Sequence, residues 1–195
     1  MKLCLDLCSG LGGFSQAFRE HEDWEVITVD INKKFKPSMV LDLIDAVEYP
    51  DRHADFWQLK PDVILASPPC ERFSLAANSF PRQGIYTGMR VAGAVLEIIA
   101  RMLPKGWIIE NPKGRLRWFL GVPNIKVRLS QFGYRTVKPT DFWTNIDIGL
   151  LKSTPVYNPE GVSFAQVRQS HIRASMPYGL SKKVLESFEA MESKE

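Results

Sequence analysis

Cys70 sits in the string Ser67-Pro68-Pro69-Cys70, where the apolar run "DVILAS" (62–67) ends. Two consecutive prolines fix φ and remove two backbone donors, so the step leading to the thiol is stiff. A thiol held still at the end of a buried strand is placed for nucleophilic work, provided something lowers its pKa. A second apolar run, "GWIIEN" (106–111), ends in Glu110 and Asn111, and neighbouring strands would bring Glu110 close to Cys70. A thiol beside a carboxyl suits one reaction in particular. The thiolate adds to C6 of a pyrimidine while the protonated carboxyl hydrogen-bonds N3, and C5 becomes nucleophilic enough to take a methyl group.

Another group of residues suits a cofactor. Gly10, Gly12 and Gly13 directly follow the run "KLCLDL" (2–7), where glycines permit a tight turn and close approach of a ligand to the backbone. The loop lacks the last glycine of the dinucleotide fingerprint and the Lys-Ser/Thr pair of a phosphate loop. Asp30 ends "EVITVD" (25–30), where an acid can take both ribose hydroxyls of an adenosine. Asp42, near the end of "SMVLDLI" (38–44), can receive the adenine amino group. Three matching strand ends point to an adenosyl cofactor without separating NAD from S-adenosylmethionine. The Cys70 step favours the latter, since a dehydrogenase leaves it without a purpose.

The elements that must position these residues alternate in type. Strands are expected over 2–7, 25–30, 38–44, 62–67 and 106–111, with helices over 14–20 and within 87–103. Beyond them the pattern predicts a helix around 124–131, strands near 134–137 and 142–145, and a terminal helix after Ser181. Such alternation predicts an α/β fold, a doubly wound and mostly parallel sheet with ligands at the carboxyl ends of its strands. At 195 residues, with 45% hydrophobic and 24% charged residues, the chain fits one domain with a full core. A net charge of +3 is compatible with a polyanionic partner without requiring one. No apolar run is long enough to span a membrane, and the N-terminus reads as a first core strand rather than a signal peptide. The three cysteines form no CxxC pair, so no metal site is expected and a reducing cytoplasm is. Cys4 and Cys8 read as core fillers.

Taken together, "DLCSGLGGFSQAF", "SPPCERFS" and "ENP" resemble the first, fourth and sixth motifs of the DNA cytosine-5 methyltransferases, in the right order over about residues 3 to 112. The resemblance implies a Rossmann-like class I S-adenosylmethionine-dependent methyltransferase fold and methyl transfer to C5 of cytosine. By motif position it implies Cys70 as the nucleophile and Glu110, with Asn111, at N3. It also implies a cofactor pocket built from Asp6, Cys8, Ser9, Gly10, Leu11, Gly12, Gly13, Asp30, Ile31, Asp42, Leu43 and Pro69. The expected partner is nucleic acid, foremost DNA. The same chemistry on RNA or a free cytosine nucleotide stays open, as does a non-catalytic binding subunit, although a binding module needs neither Cys70 nor Glu110.

Departures from the family pattern are instructive. Glu71 stands where the family usually has Gln after the nucleophile, and Cys8 replaces an aromatic residue of the glycine loop. The Gln-x-Arg-x-Arg element is not recognisable. "FGYRTVKPTDFWTN" occupies its place, with Arg135 or Lys138 as electrostatic substitutes. The stretch after Asn111 is short for a separate target-recognition domain, so residues 1–195 read as a single catalytic domain. A partner protein or second copy could then supply target recognition. Arg82 and Arg90, in and beside the loop after Cys70, are candidates for phosphate contact, and Arg101, Lys105, Lys113, Arg115 and Arg117 form a local basic cluster. Trp118, Phe119 and Trp143 could stack on bases but read mainly as core. Ser181 reads as a helix N-cap, and His171 lacks an acidic partner.

Overall fold

The computed structural model describes residues 1–73, 82–134, 138–148 and 176–193. Seven strands form one sheet: β1 (Lys2–Leu7), β2 (Trp24–Asp30), β3 (Met39–Val40), β4 (Val63–Ala66), β5 (Gly106–Pro112), β6 (Ile125–Arg128) and β7 (Pro139–Thr144). Their spatial order is β3-β2-β1-β4-β5-β7-β6. The first five are parallel, while β7 runs antiparallel to both β5 and β6. β4 is apolar at every position because both of its faces are covered. Val63 and Leu65 pack to one side of the sheet, Ile64 and Ala66 to the other.

Helices complete both layers. α1 (Gln16–Arg19) and α6 (Tyr178–Glu192) cover one face, with Ala17, Phe18, Val184 and Phe188 in its core. On the other lie α2 (Leu43–Glu48), α3 (Ala54–Trp57), α4 (Arg82–Met102) and the short α5 (Arg117–Leu120). The chain leaves β1 towards the α1 face and β4 towards the α4 face, so a crevice opens between their carboxyl ends. That is the topological switch point at which doubly wound sheets bind ligands. Among the described residues no helix is long and apolar enough to cross a membrane.

Four expectations need correction. The third strand is only Met39–Val40, and Asp42 is the N-cap of α2, its Oδ1 accepting the Ile44 N–H. The helix expected around 124–131 is β6 followed by a 3-10 turn, Leu129–Phe132. "IKVR" alternates apolar and basic residues, and pairing with β7 decides its period. The strand expected near 142–145 is β7, which begins at Pro139, and the one expected near 134–137 falls, after Tyr134, on residues outside the described ones. Ser181 is buried inside α6, which starts after Pro177; its hydroxyl donates to the Phe14 carbonyl and accepts the Ala17 N–H. It ties α6 to the glycine loop instead of capping the helix.

Candidate active site

Beyond Ala66 the Pro68-Pro69 step ends the ladder, and Cys70 opens a 3-10 turn, Cys70–Arg72. Two contacts hold this turn. The Asn111 side-chain amide donates to the Pro68 carbonyl at 2.9 Å, and the Arg115 N–H donates to the Phe73 carbonyl at 2.8 Å. Gly114 permits the second approach, since a Cβ there would lie 2.4 Å from the Phe73 oxygen. The loop after β5 therefore clamps the loop after β4.

Parallel register places Glu110 beside this step. Ala66 pairs with Ile109, so Ser67 and Glu110 stand side by side one residue further on, and the Ser67 hydroxyl bonds the carboxyl. Glu110 is buried, and among the described residues its Oε1 has no hydrogen-bond partner. Burial pushes its carboxyl above the usual range, against the pull of Lys138 and Ser67. Cys70 is exposed as a residue, yet desolvation around its sulfur raises the thiol, and the Glu110 charge raises it further. Lys138, itself buried, acts on both groups and lowers both. The thiol therefore stands above its ordinary range: one cation works against burial and a neighbouring acid and does not reverse them.

Across the switch point the glycine loop takes the left-handed conformations that its sequence allows. Gly10 and Gly12 have φ of 52° and 71°, and Cys8 shares this region at 54°, at a steric cost for a residue with a Cβ. Asp30 fixes the turn by accepting the Gly10 N–H on Oδ2 and the Asn32 N–H on Oδ1, both at 2.8 Å. Each carboxylate oxygen keeps a further lone pair. Leu11 and Ile31, 54% and 66% exposed, flank the acid with apolar surface. Asp30 thus stands at the rim of the glycine loop with exposed apolar side chains on either side. Ser9 lies between, its N–H donating to the Val29 carbonyl, and Gly13 packs against the Met176 backbone. Pro69 is half-buried and Leu43 lies in the core behind Asp42.

Asp6 sits beneath the loop and supports it. Fully buried, it accepts the Ser15 hydroxyl at 2.6 Å, and desolvation raises its carboxyl to about 7. A buried acid with a raised pKa binds its proton more tightly in the folded state, so stability falls as pH rises from its unfolded value towards 7. The expected result is a loss of about 2.5 kcal/mol between pH 5 and 8 that Asp6→Asn removes, measured by urea unfolding of both proteins.

The nucleic-acid candidates fare unevenly. Arg90 lies within α4 and pairs with Glu48. Arg82 begins that helix, and Arg135 and His171 lie outside the described residues. The expected basic cluster divides. Arg101 pairs with Glu97 and Lys105 with Glu192 at the amino end of β5, whereas Lys113, Arg115 and Arg117 follow its carboxyl end. Trp143 is core, its Nε1 donating to the Gly121 carbonyl, but Trp118 and Phe119 are 73% and 39% exposed, contrary to their expected burial. Sequence reasoning missed Ser67, although the parallel register that brings Glu110 to Cys70 also brings Ser67 to Glu110.

Comparisons with known proteins bear on the family and the fold. Residues 3–138 match the model of the C-5 cytosine-specific DNA methylase family. A protein of Frog virus 3 (isolate Goorha), named a probable DNA (cytosine-5)-methyltransferase, is 32% identical over 159 residues, covering 73% of this chain and 70% of its own length. Type II methyltransferase M.AquIA of Picosynechococcus is 37% identical over 65 residues, 32% of this chain and 25% of that protein. A prophage-encoded E. coli chain described as a DNA modification methyltransferase shares the fold. It has a TM-score of 0.50 at 19% identity, covering 74% of this chain and 46% of that one.

Proposed function

Because the chain belongs to the C-5 cytosine-specific DNA methylase family, we propose that it methylates C5 of cytosine in DNA through a covalent Cys70 intermediate, with S-adenosylmethionine as donor. The observation that carries this reading is the buried Glu110 carboxyl, raised in pKa and open at Oε1, one strand away from the Cys70 step. When bound, S-adenosylmethionine supplies an electrophilic methyl group. Gly10, Leu11, Asp30, Ile31 and Asp42 are the residues that would hold it.

Cys70 Sγ adds to C6 while Glu110 presents its proton to N3, so the electrons of the C5–C6 double bond become available at C5. Protonation of Glu110 also removes the like charge that opposes thiolate formation. One proton therefore serves both ends of the base. Asn111 holds the Pro68 carbonyl and with it the direction of attack. Once C5 carries the methyl group, solvent takes the C5 proton, the electrons restore the C5–C6 double bond and expel the Cys70 thiolate, and N3 returns its proton to Glu110. Residues 1–195 act as one catalytic domain in this reading, located in the cytoplasm.

The test is methyl transfer from labelled S-adenosylmethionine to duplex DNA, single-stranded DNA, RNA and free cytosine nucleotides, followed by identification of the modified base. The expected product is 5-methylcytosine in DNA. Label confined to RNA or nucleotides, or to another position of the base, contradicts the proposal.

A further inference from the structure

A groove of 430 Å³ lies where β6 and β7 meet the loop after β5, lined by Lys113, Arg117, Lys126, Arg128, Pro139 and Asp141 among others. Its charge is one-sided. Asp141, the acid in the lining, is buried and engaged by Arg117 through Nε and Nη2. Lys113, Lys126 and Arg128 are exposed and form no ion pair among the described residues. Lys126 and Arg128 point the same way because they alternate with Ile125 and Val127, which pack into the core on the other side.

The groove also adjoins the candidate site. Lys113 follows Glu110-Asn111-Pro112, and its N–H donates to the Pro139 carbonyl. Pro139 lines the groove, while Lys138, one residue earlier, acts electrostatically on Cys70 and Glu110. Arg115, within the same loop, clamps the turn that carries Cys70. Beside it Trp118 exposes its ring, with the Arg115 guanidinium 6.0 Å from the ring centroid. Cations along a groove and an exposed aromatic face together are what a nucleic-acid strand requires.

We propose that this groove is the track for the sugar-phosphate backbone of the DNA strand carrying the target cytosine, with Lys113, Lys126 and Arg128 as its phosphate contacts. The inference rests on the methyltransferase reading above but is tested apart from it. Lys126→Glu/Arg128→Glu alters exposed residues of an edge strand, and Lys60→Glu, exposed before β4 at the opposite end of the sheet, is the control. Binding of a fluorescein-labelled 20-nucleotide DNA, single-stranded and duplex, and of RNA of the same sequence is followed by anisotropy across a KCl series, with thermal melting to verify folding.

The expected result is a loss of about tenfold or more in affinity for the double variant. The slope of log K against log[KCl] should become shallower by about 0.7–0.9 per contact removed, and Lys60→Glu should match wild type. Four outcomes overturn the proposal: no DNA binding by wild type, an unchanged slope and affinity in the double variant, an equal loss in Lys60→Glu, or binding of RNA of the same sequence in place of DNA. If the groove behaves as expected but no base is methylated, the catalytic reading fails alone. Methylation with groove variants indistinguishable from wild type removes the groove alone.

Discussion

Cys70→Ser should abolish methyl transfer, with a loss on the order of 10⁴-fold, while S-adenosylmethionine still binds with nearly wild-type affinity. Serine preserves the size of the side chain and leaves the Asn111 and Arg115 clamps untouched, so the step keeps its shape. It removes the thiolate, and a hydroxyl in a setting that already resists charge formation does not replace it. Cofactor affinity should survive because the glycine loop and Asp30 belong to β1 and β2, across the switch point from β4. Calorimetry with the cofactor and transfer of labelled methyl to DNA measure the two halves separately. Retained transfer in Cys70→Ser would make the thiol structural.

Glu110→Gln should have two effects of opposite sign. Methyl transfer should fall by about 10²–10⁴-fold, because the amide cannot give a proton to N3. Alkylation of Cys70 by iodoacetamide at a pH where Glu110 is ionised should become faster, because the substitution removes a charge that raises the thiol. Peptide mapping distinguishes Cys70 from Cys4, which is buried, and from the half-buried Cys8. Damage to the fold would relieve the burial that raises Cys70 and would open Cys4 and Cys8 as well, so faster alkylation confined to the Cys70 peptide is what marks the loss of the Glu110 charge. Slower alkylation of Cys70 in Glu110→Gln contradicts the arrangement.

The parallel half of the fold was legible because its strands are short apolar runs punctuated by glycine, proline or an acid. "VILA" followed by Ser-Pro-Pro, and "GWIIEN", each state where the ladder stops. The antiparallel edge was not. "IKVR" is too short for its period to separate strand from helix, and only pairing with β7 turns Lys126 and Arg128 to one side. "SMVLDLI" is apolar enough to read as a strand with Asp42 near its end, whereas the Asp42 side chain starts a helix by accepting the Ile44 N–H. Residue types at the candidate site were readable for the same reason as the strands, since Cys70 and Glu110 each stand where a strand ends. Their electrostatics were not. Whether a thiol is activated depends on burial and on Lys138, which folds back from 28 residues beyond Glu110. Ser181 shows the same limit: a serine before a helical run looks like a cap, and only docking of α6 on α1 reveals it as a tie to the glycine loop.

The covalent role of Cys70 is tested most directly by trapping on DNA containing 5-fluorocytosine, whose C5 cannot lose a proton after methylation. With S-adenosylmethionine present, wild-type protein should form a denaturation-resistant adduct to this DNA through the Cys70 peptide, and Cys70→Ser should form none. Turnover of ordinary cytosine without any adduct on the fluorinated base, or an adduct mapped to a residue other than Cys70, would contradict the account.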